Sequence, residues 1–239
     1  MKKFTVVTLF PESIEGYLKS SILKRAEKAG LVSFDVLNPR NFTEDKHRVT
    51  DDKPFGGGPG MVMKAEPILK AVEASMNHES GIKNHDKDKI KPKTKIILTS
   101  AVGKQFTKEM AKSWAKKYDN FVFIAGRYEG VDARVKKILK AEEVSIGPYI
   151  LTGGELPAVV MIDAISRHIL GVLGNEESIE ENRLVPRSRL GKVGLFGIPQ
   201  YTRPEVFDWV GKKHTVPKVL MTGNHKKINE WRNLNGGNK

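Results

Sequence analysis

Ser145-Ile146-Gly147-Pro148-Tyr149-Ile150-Leu151-Thr152-Gly153-Gly154-Glu155-Leu156-Pro157 is the stretch on which the fold turns. It reads as a strand end, a glycine-broken loop and a helix start. Pro157 suits the first helical turn, where its missing N–H costs nothing. Glu155 puts a negative charge at the positive end of that helix. Gly153 and Gly154 let backbone approach a bound molecule, because no Cβ stands in the way. The helix is predicted over 156–170. It is apolar on most sides, through Val159, Val160, Met161, Ile162, Ile165 and Ile169, so it is buried or lies at an interface. Asp163 and Arg167, four apart, share one of its faces. Charge in such a helix must be paired or functional.

Upstream, residues 4–9 are β-branched and apolar, as in a buried strand. Residues 13–29 read as one amphipathic helix, striped by Ile14, Leu18, Ile22, Leu23 and Ala26 and stopped by Gly30. Residues 32–37 alternate like a second strand, so the chain opens β-α-β, the unit of a parallel sheet. Further strands are predicted at 95–99, 121–125 and 143–146, with helices at 65–76, 107–117 and 133–140. The last three strands each run into a glycine-containing turn. Ligands collect at the carboxyl ends of strands in open parallel sheets, so three converging turns make a small-molecule pocket. A nucleotide-like ligand fits. No Gly-x-Gly-x-x-Gly or Gly-x-x-x-x-Gly-Lys-Ser/Thr occurs, which argues against a dinucleotide site or a Walker loop.

Residues 38–61 form a long polar loop ending in Pro54-Phe55-Gly56-Gly57-Gly58-Pro59-Gly60-Met61. It is either a glycine nest whose N–H groups meet an anion or a ligand edge, or a hinge before the next helix. Residues 77–93 are rich in Lys, Asp and His. They read as a solvated loop rather than a metal site built on His78 and His85. Residues 171–200 read as a linker, acidic at Glu176-Glu177 and Glu180-Glu181, then basic at Arg183, Arg187 and Arg189. A small region begins at Tyr201 and ends in a short helix near Trp231-Arg232.

The 239 residues allow one or two domains with a sizeable core. The absence of cysteine excludes disulfides, thiolate catalysis and cysteine metal sites, and fits a reducing cytoplasm. No apolar run reaches the ~20 residues of a membrane span, so no membrane is expected. Met1-Lys2-Lys3 before an apolar run mimics a signal peptide. The run is too short, and Pro11-Glu12 ends it. The net charge of +13 suits a polyanionic partner such as nucleic acid.

Taken together, seven stretches in order resemble the bacterial tRNA (guanine-N1)-methyltransferase family, which methylates guanine 37 beside the anticodon. They are Asp51 to Met61; Gly126-Arg127-Tyr128-Glu129-Gly130; Ser145-Ile146-Gly147; Leu151 to Ala158; Gly171-Val172-Leu173-Gly174; Tyr201-Thr202-Arg203-Pro204-Glu205; and Gly223-Asn224-His225. The match covers nearly the whole chain. It implies an α/β fold of the SPOUT class: a parallel sheet with a deep C-terminal trefoil knot, plus a small helical C-terminal domain. The implied division is 1–172 for the knotted cofactor domain, 173–200 for a flexible linker and 201–239 for a shortened helical domain. The resemblance also implies a cytoplasmic homodimer, tRNA as partner, and S-adenosylmethionine bound in a bent shape. Magnesium is associated with the family's activity, although no metal-ligand spacing here would suggest it.

By position, the resemblance sets the cofactor's adenine against Leu98, Thr99, Ser100, Ile146, Gly147, Tyr149 and Leu151. Gly126, Tyr128, Glu129, Gly153, Gly154 and Pro157 line the rest. Asp51, Gly58, Pro59, Gly60, Asn182, Arg183 and Arg203 fall to the substrate. Guanine N1 carries a proton, so a general base must remove it as the methyl arrives. Charge then develops on O6, where a fixed cation stabilises it. Arg167 matches the family's arginine there. The family's basic aspartate falls, counting without gaps, on Asn182, and an amide cannot take the proton. Glu181, one residue away, is the expected base; slow catalysis or proton loss to solvent is the alternative. Two other readings stay open: a SPOUT methyltransferase for another RNA, and a non-catalytic tRNA-binding relative.

Overall fold

The computed structural model describes residues 1–77, 92–173 and 199–235. It divides into two compact units, Met1–Leu173 and Gly174–Lys239. The first unit holds a five-stranded sheet. Its strands are β1 (Lys2–Val7), β2 (Val32–Leu37), β5 (Thr94–Gln105), β6 (Asn120–Ile124) and β7 (Glu142–Ser145), in spatial order β2-β1-β6-β5-β7. Every pairing in it is parallel. Between β2 and β5 lie a 3₁₀ turn (Pro39–Phe42) and a short antiparallel pair, β3 (Asp51–Asp52) with β4 (Val62–Met63).

Strand alternation sorts the core into two halves. Phe4, Val6, Phe121 and Phe123 face one side with Ile97, Trp114, Met161, Ile162 and Ile165. Val7, Val122 and Ile124 face the other with Met63, Ile68, Val72 and Val135. The first half is covered by α1 (Glu12–Leu18), α2 (Ser21–Lys28), α4 (Lys108–Lys117) and α6 (Glu155–Ser166). The second is covered by α3 (Ala65–Asn77) and α5 (Ala133–Leu139). A sheet buried on both faces reads as near-continuous apolar runs, as Asn-Phe-Val-Phe-Ile in β6 does. Phe4 locks three strands together, stacking on Phe34 at 5.8 Å and on Phe121 at 5.0 Å.

Three expectations change. The single helix over 13–29 is two helices, because Ser20 adopts an extended backbone and its hydroxyl donates to the Tyr17 carbonyl. Serine side chains compete with helical hydrogen bonds in this way. The apolar stripe survives the break: Ile14, Leu18, Leu23 and Ala26 are all buried. The helix predicted over 156–170 ends at Ser166. Beyond it the amides of His168, Ile169 and Val172 bond three residues back, to Ile165, Ser166 and Ile169, tightening the end of the helix. Finally, β5 runs on past residue 99. Val144 of β7 pairs with both Thr99 and Lys104, so residues 100–103 bulge out of the strand.

The described part of the second unit is not wholly helical, whereas the resemblance implies a small helical domain. An antiparallel hairpin of β8 (Val206–Trp209) and β9 (Lys212–Thr215) precedes α7 (Lys218–Met221) and α8 (His225–Asn235). Asn224 caps α8, its Oδ1 accepting from the Lys227 amide at 3.1 Å. Tyr201 meets Trp231 edge-on at 6.1 Å. No helix among the described residues is long and apolar enough to cross a membrane.

Candidate active site

The carboxyl ends of three adjacent strands, β6, β5 and β7, open onto one cavity of about 460 Å³. Three chain segments wall it: the bulge of β5, the turn 126–131 after β6, and the long loop from Ser145 to Gly154. The segments are bonded to each other. The Gly154 amide donates to the Gly126 carbonyl at 2.9 Å. Thr99 Oγ1 accepts from the Gly126 amide at 3.4 Å and donates to the Ile124 carbonyl at 3.1 Å.

Steric detail revises the role of the glycines. A Cβ on Gly154 would stand 2.0 Å from Thr99 Oγ1 and 2.7 Å from the Gly126 nitrogen. One on Gly153 would stand 2.3 Å from Arg127 Nε, and one on Gly103 would stand 2.5 Å from the Val144 nitrogen. Gly154 and Gly103 let chain pass against chain, and Gly153 makes room for the Arg127 and Glu155 side chains. The turn after β6 is also braced from outside, because the Glu129 amide donates to the Met61 carbonyl and the Met63 amide to the Gly130 carbonyl. Tyr128, in that turn, has φ +59° and lines the cavity.

Arg127, which lines the cavity, forms an ion pair with the buried Glu155 that no local sequence pattern signals. Glu155, 3% exposed, accepts at Oε1 from Thr8 Oγ1 (2.7 Å) and from Arg127 Nε (3.0 Å). Arg127 also donates through an Nη to the Thr152 carbonyl at 3.1 Å, and its guanidinium lies 4.5 Å from the Phe10 ring centre. One salt bridge thus ties β1, the 126–130 turn and the start of α6. Arg127 stands inside a quoted motif and Glu155 was read only as a helix-end charge. Their spacing of 28 residues offers no local signal for the pair.

A second, mostly apolar cavity of about 560 Å³ lies between α1 and α6, lined by Ile14, Tyr17, Leu156, Val160, Asp163 and Arg167 among others. It shares Arg127, Leu151, Thr152 and Gly153 with the first. Asp163 beside Tyr17 raises the phenol above its ordinary pKa, through its charge first, then burial and a hydrogen bond.

The whole chain, residues 1–238, matches the model of the tRNA (guanine-1)-methyltransferase TrmD family. The chain belongs to that family. It is similar to proteins named tRNA (guanine-N(1)-)-methyltransferase from several bacteria. The one from Thermomicrobium roseum is 45% identical over 97% of this chain and 78% of its own length. The one from Carboxydothermus hydrogenoformans is 44% identical over 96% and 81%. The one from Dictyoglomus turgidum is 45% identical over 97% and 84%.

Family membership makes the protein a methyltransferase of the kind that uses S-adenosylmethionine. The residues named for that cofactor come together. Leu98, Thr99, Ser100, Gly126, Tyr128, Glu129, Ile146, Tyr149, Leu151, Gly153, Gly154 and Pro157 all line the first cavity. Gly147 does not; it packs beneath the Tyr149 ring, where a Cβ would lie 2.3 Å from a ring carbon. Ala101, Val102, Glu143 and Thr152 line the cavity without having been named. The β5 bulge accounts for the first two, and no periodicity reports a bulge. Of the residues named for substrate, Asp51 pairs with Met63 across β3 and β4, and Gly60 packs on the Glu129 side chain. Gly58 has φ +125°, and Pro59 lies beside it on the same exposed loop. Arg203 belongs to the second unit and is exposed. Arg167 lines the second cavity, not the first. Glu181, Asn182 and Arg183 lie outside the described residues, as do His78 and His85. No group of three His, Asp or Glu side chains among the described residues is placed to hold a metal ion.

Proposed function

We propose that the protein transfers a methyl group from S-adenosylmethionine to N1 of guanine 37 in tRNA. The observation that carries the reading is the first cavity. Residues from three of the seven family motifs and the three strand ends predicted to converge meet in it. Its volume suits a small ligand. Glycines at 126, 130, 153 and 154 are among its lining residues, and backbone amides and carbonyls can match the edge of an adenine. Glu129 and Glu143 add negative charge for a cationic ligand. When bound, S-adenosylmethionine supplies a methyl group activated by its sulfonium.

The chain's own residues supply the rest. The bonded turns at 99, 126 and 154 hold the pocket shape without reorganisation. Arg167 is assigned to the charge that develops on guanine O6, and Glu181 to the N1 proton. Asp51, Gly58, Pro59 and Gly60 are assigned to the target nucleotide. In support, Gly60 packs on the Glu129 side chain, and Glu129 lines the cavity. Arg183 and Arg203 are assigned to tRNA phosphates, and Asn182 to the substrate.

The same reading includes a deep trefoil knot and a homodimer. Gly154 wedged between Thr99 and Ala125-Gly126 is what a chain threaded through a loop requires. Leu156 and Val160, which line the second cavity, are apolar and exposed, as a surface for a second copy would be. A cytoplasmic setting with tRNA follows from the reading. Magnesium remains without an assigned ligand set.

The test is single-turnover methyl transfer to an unmodified tRNA transcript carrying guanine at 36 and 37, read as a reverse-transcription stop. Glu181→Gln should abolish most transfer. A second reading rests on Asn182: the protein binds tRNA without catalysis. Cofactor and tRNA binding without transfer, with activity appearing in Asn182→Asp, would establish it instead.

A further inference from the structure

The hairpin of the second unit carries features that folding does not require. All eight of its strand residues are exposed. Directly opposed residues share a face in an antiparallel pair, so its two faces can be compared. One face carries Val206, Thr215, Asp208 and Lys213, an ordinary solvated surface. The other carries Phe207 opposite His214 and Trp209 opposite Lys212. Phe207 and His214 stack with ring centres 5.3 Å apart and planes 19° apart. Phe207 is 52% exposed and Trp209 68%.

The turn is equally uneconomical. Val210 and Gly211 both have positive φ, +50° and +71°, as in a two-residue type I′ turn, where Asn or Gly is the ordinary first residue. A β-branched residue at positive φ is strained. Val210 accepts that strain while presenting an apolar side chain that is 85% exposed. A strained apolar tip and an aromatic platform with Lys212 on its face stand on one short finger.

We propose that the β8–β9 hairpin is an RNA-contact finger. Phe207, Trp209 and Val210 pack against unpaired bases of the substrate tRNA, while Lys212, on the same face as the rings, meets a phosphate. This rests on the reading of tRNA as substrate. Aromatic platforms flanked by cations are how proteins hold single-stranded nucleic acid. The net charge of +13 points to the same polyanion. A second copy of the chain fits less well, because the cores of protein interfaces are depleted of lysine.

The experiment compares the full-length wild type with four variants: Phe207→Ala/Trp209→Ala, Trp209→Phe, Val210→Asn and, on the opposite face, Thr215→Ala. The readouts are the Kd and KM for an unmodified tRNA transcript, kcat at saturating tRNA, and the Kd for S-adenosylmethionine. The double variant should raise Kd and KM for tRNA roughly tenfold, with kcat and cofactor affinity unchanged. Trp209→Phe keeps a ring and should stay within about twofold, while abolishing the part of the tRNA-induced fluorescence change that Trp209 reports. Val210→Asn relieves the turn and should bind tRNA a few-fold more weakly, on the order of the loss of one apolar contact. Thr215→Ala should match wild type. A wild type that methylates tRNA beside a double variant with unchanged KM overturns the finger alone. A double variant that changes sedimentation but not tRNA affinity assigns the face to a second copy. A wild type that neither binds nor methylates tRNA overturns the finger together with the substrate reading.

Discussion

The loops around the first cavity and the hairpin of the second unit are both turn-rich, and they differ in what fixes them. At the cavity each turn is bonded to another: Gly154 to Gly126, Gly126 to Thr99, Glu129 to Met61. Missing Cβ atoms and the Arg127–Glu155 ion pair hold the segments in contact. On the hairpin no strand residue is buried; cross-strand pairs hold it, with the Val216 amide donating to the Glu205 carbonyl at its base. A small-molecule site needs its shape set in advance. A surface that meets a polyanion needs charge and exposed rings more than it needs interlocking.

Breaking the interlock should have the largest effect. Glu155→Ala leaves Arg127 without its buried carboxylate. It should cost about 1.5–3 kcal/mol of stability, the worth of a hydrogen bond to a charged group, because Arg127 stays partly exposed; this is read as a lower denaturant midpoint with an unchanged slope, and S-adenosylmethionine binding should weaken. Gly154→Ala comes next. Its new methyl meets backbone at Gly126 and Ala125, which cannot swing aside. Overpacking of that kind costs about 1–3 kcal/mol, and calorimetric titration should show cofactor binding lost before the fold. Retained cofactor affinity in Gly154→Ala would remove the basis of the comparison.

The hairpin unit should respond differently. Trp231→Ala removes the edge-on contact with Tyr201, worth about 0.5–1.5 kcal/mol beyond area burial. It should lower tRNA affinity while cofactor binding, measured on the same preparation, stays unchanged. A matched loss of both would mean that the two units do not act separately.

The smallest effect concerns pH. The Asp119 carboxyl is held below its usual range by the Lys93 backbone N–H first, and also by Lys2. A group with a depressed folded-state pKa contributes stability that is fully present above the unfolded value, about 3.9. That contribution is lost as pH falls through the lower folded value. Asp119 is half exposed, so the contribution is at most about 1 kcal/mol. Asp119→Asn should flatten the acid limb of the stability profile slightly and leave the neutral region displaced by no more than that.

What was legible in the sequence was local or ordered along the chain. Apolar runs in β1 and β6, the alternation of β2, the stripe of α1 and α2, and glycines after three strands predicted a parallel sheet with a pocket at its carboxyl edge. Those signals have periods of two or 3.6 residues, and single-chain patterning carries them. The seven motifs, in order, carried the family. The hairpin escaped because Val210-Gly211 is an unusual turn and its strands bury neither face, so no alternation of apolar and polar residues marks them.

The amino-acid sequence by itself determined the sheet, the family and most residues around the cavity, because each rests on neighbours along the chain or on motifs in order. Only the tertiary structure decided the Arg127–Glu155 pair, the bulge at 100–103, the division between the two cavities that leaves Arg167 in the second, and the reason for Gly153 and Gly154. Each of these depends on segments 26 or more residues apart meeting within a few ångströms, and contact at that range leaves no periodic trace in the chain.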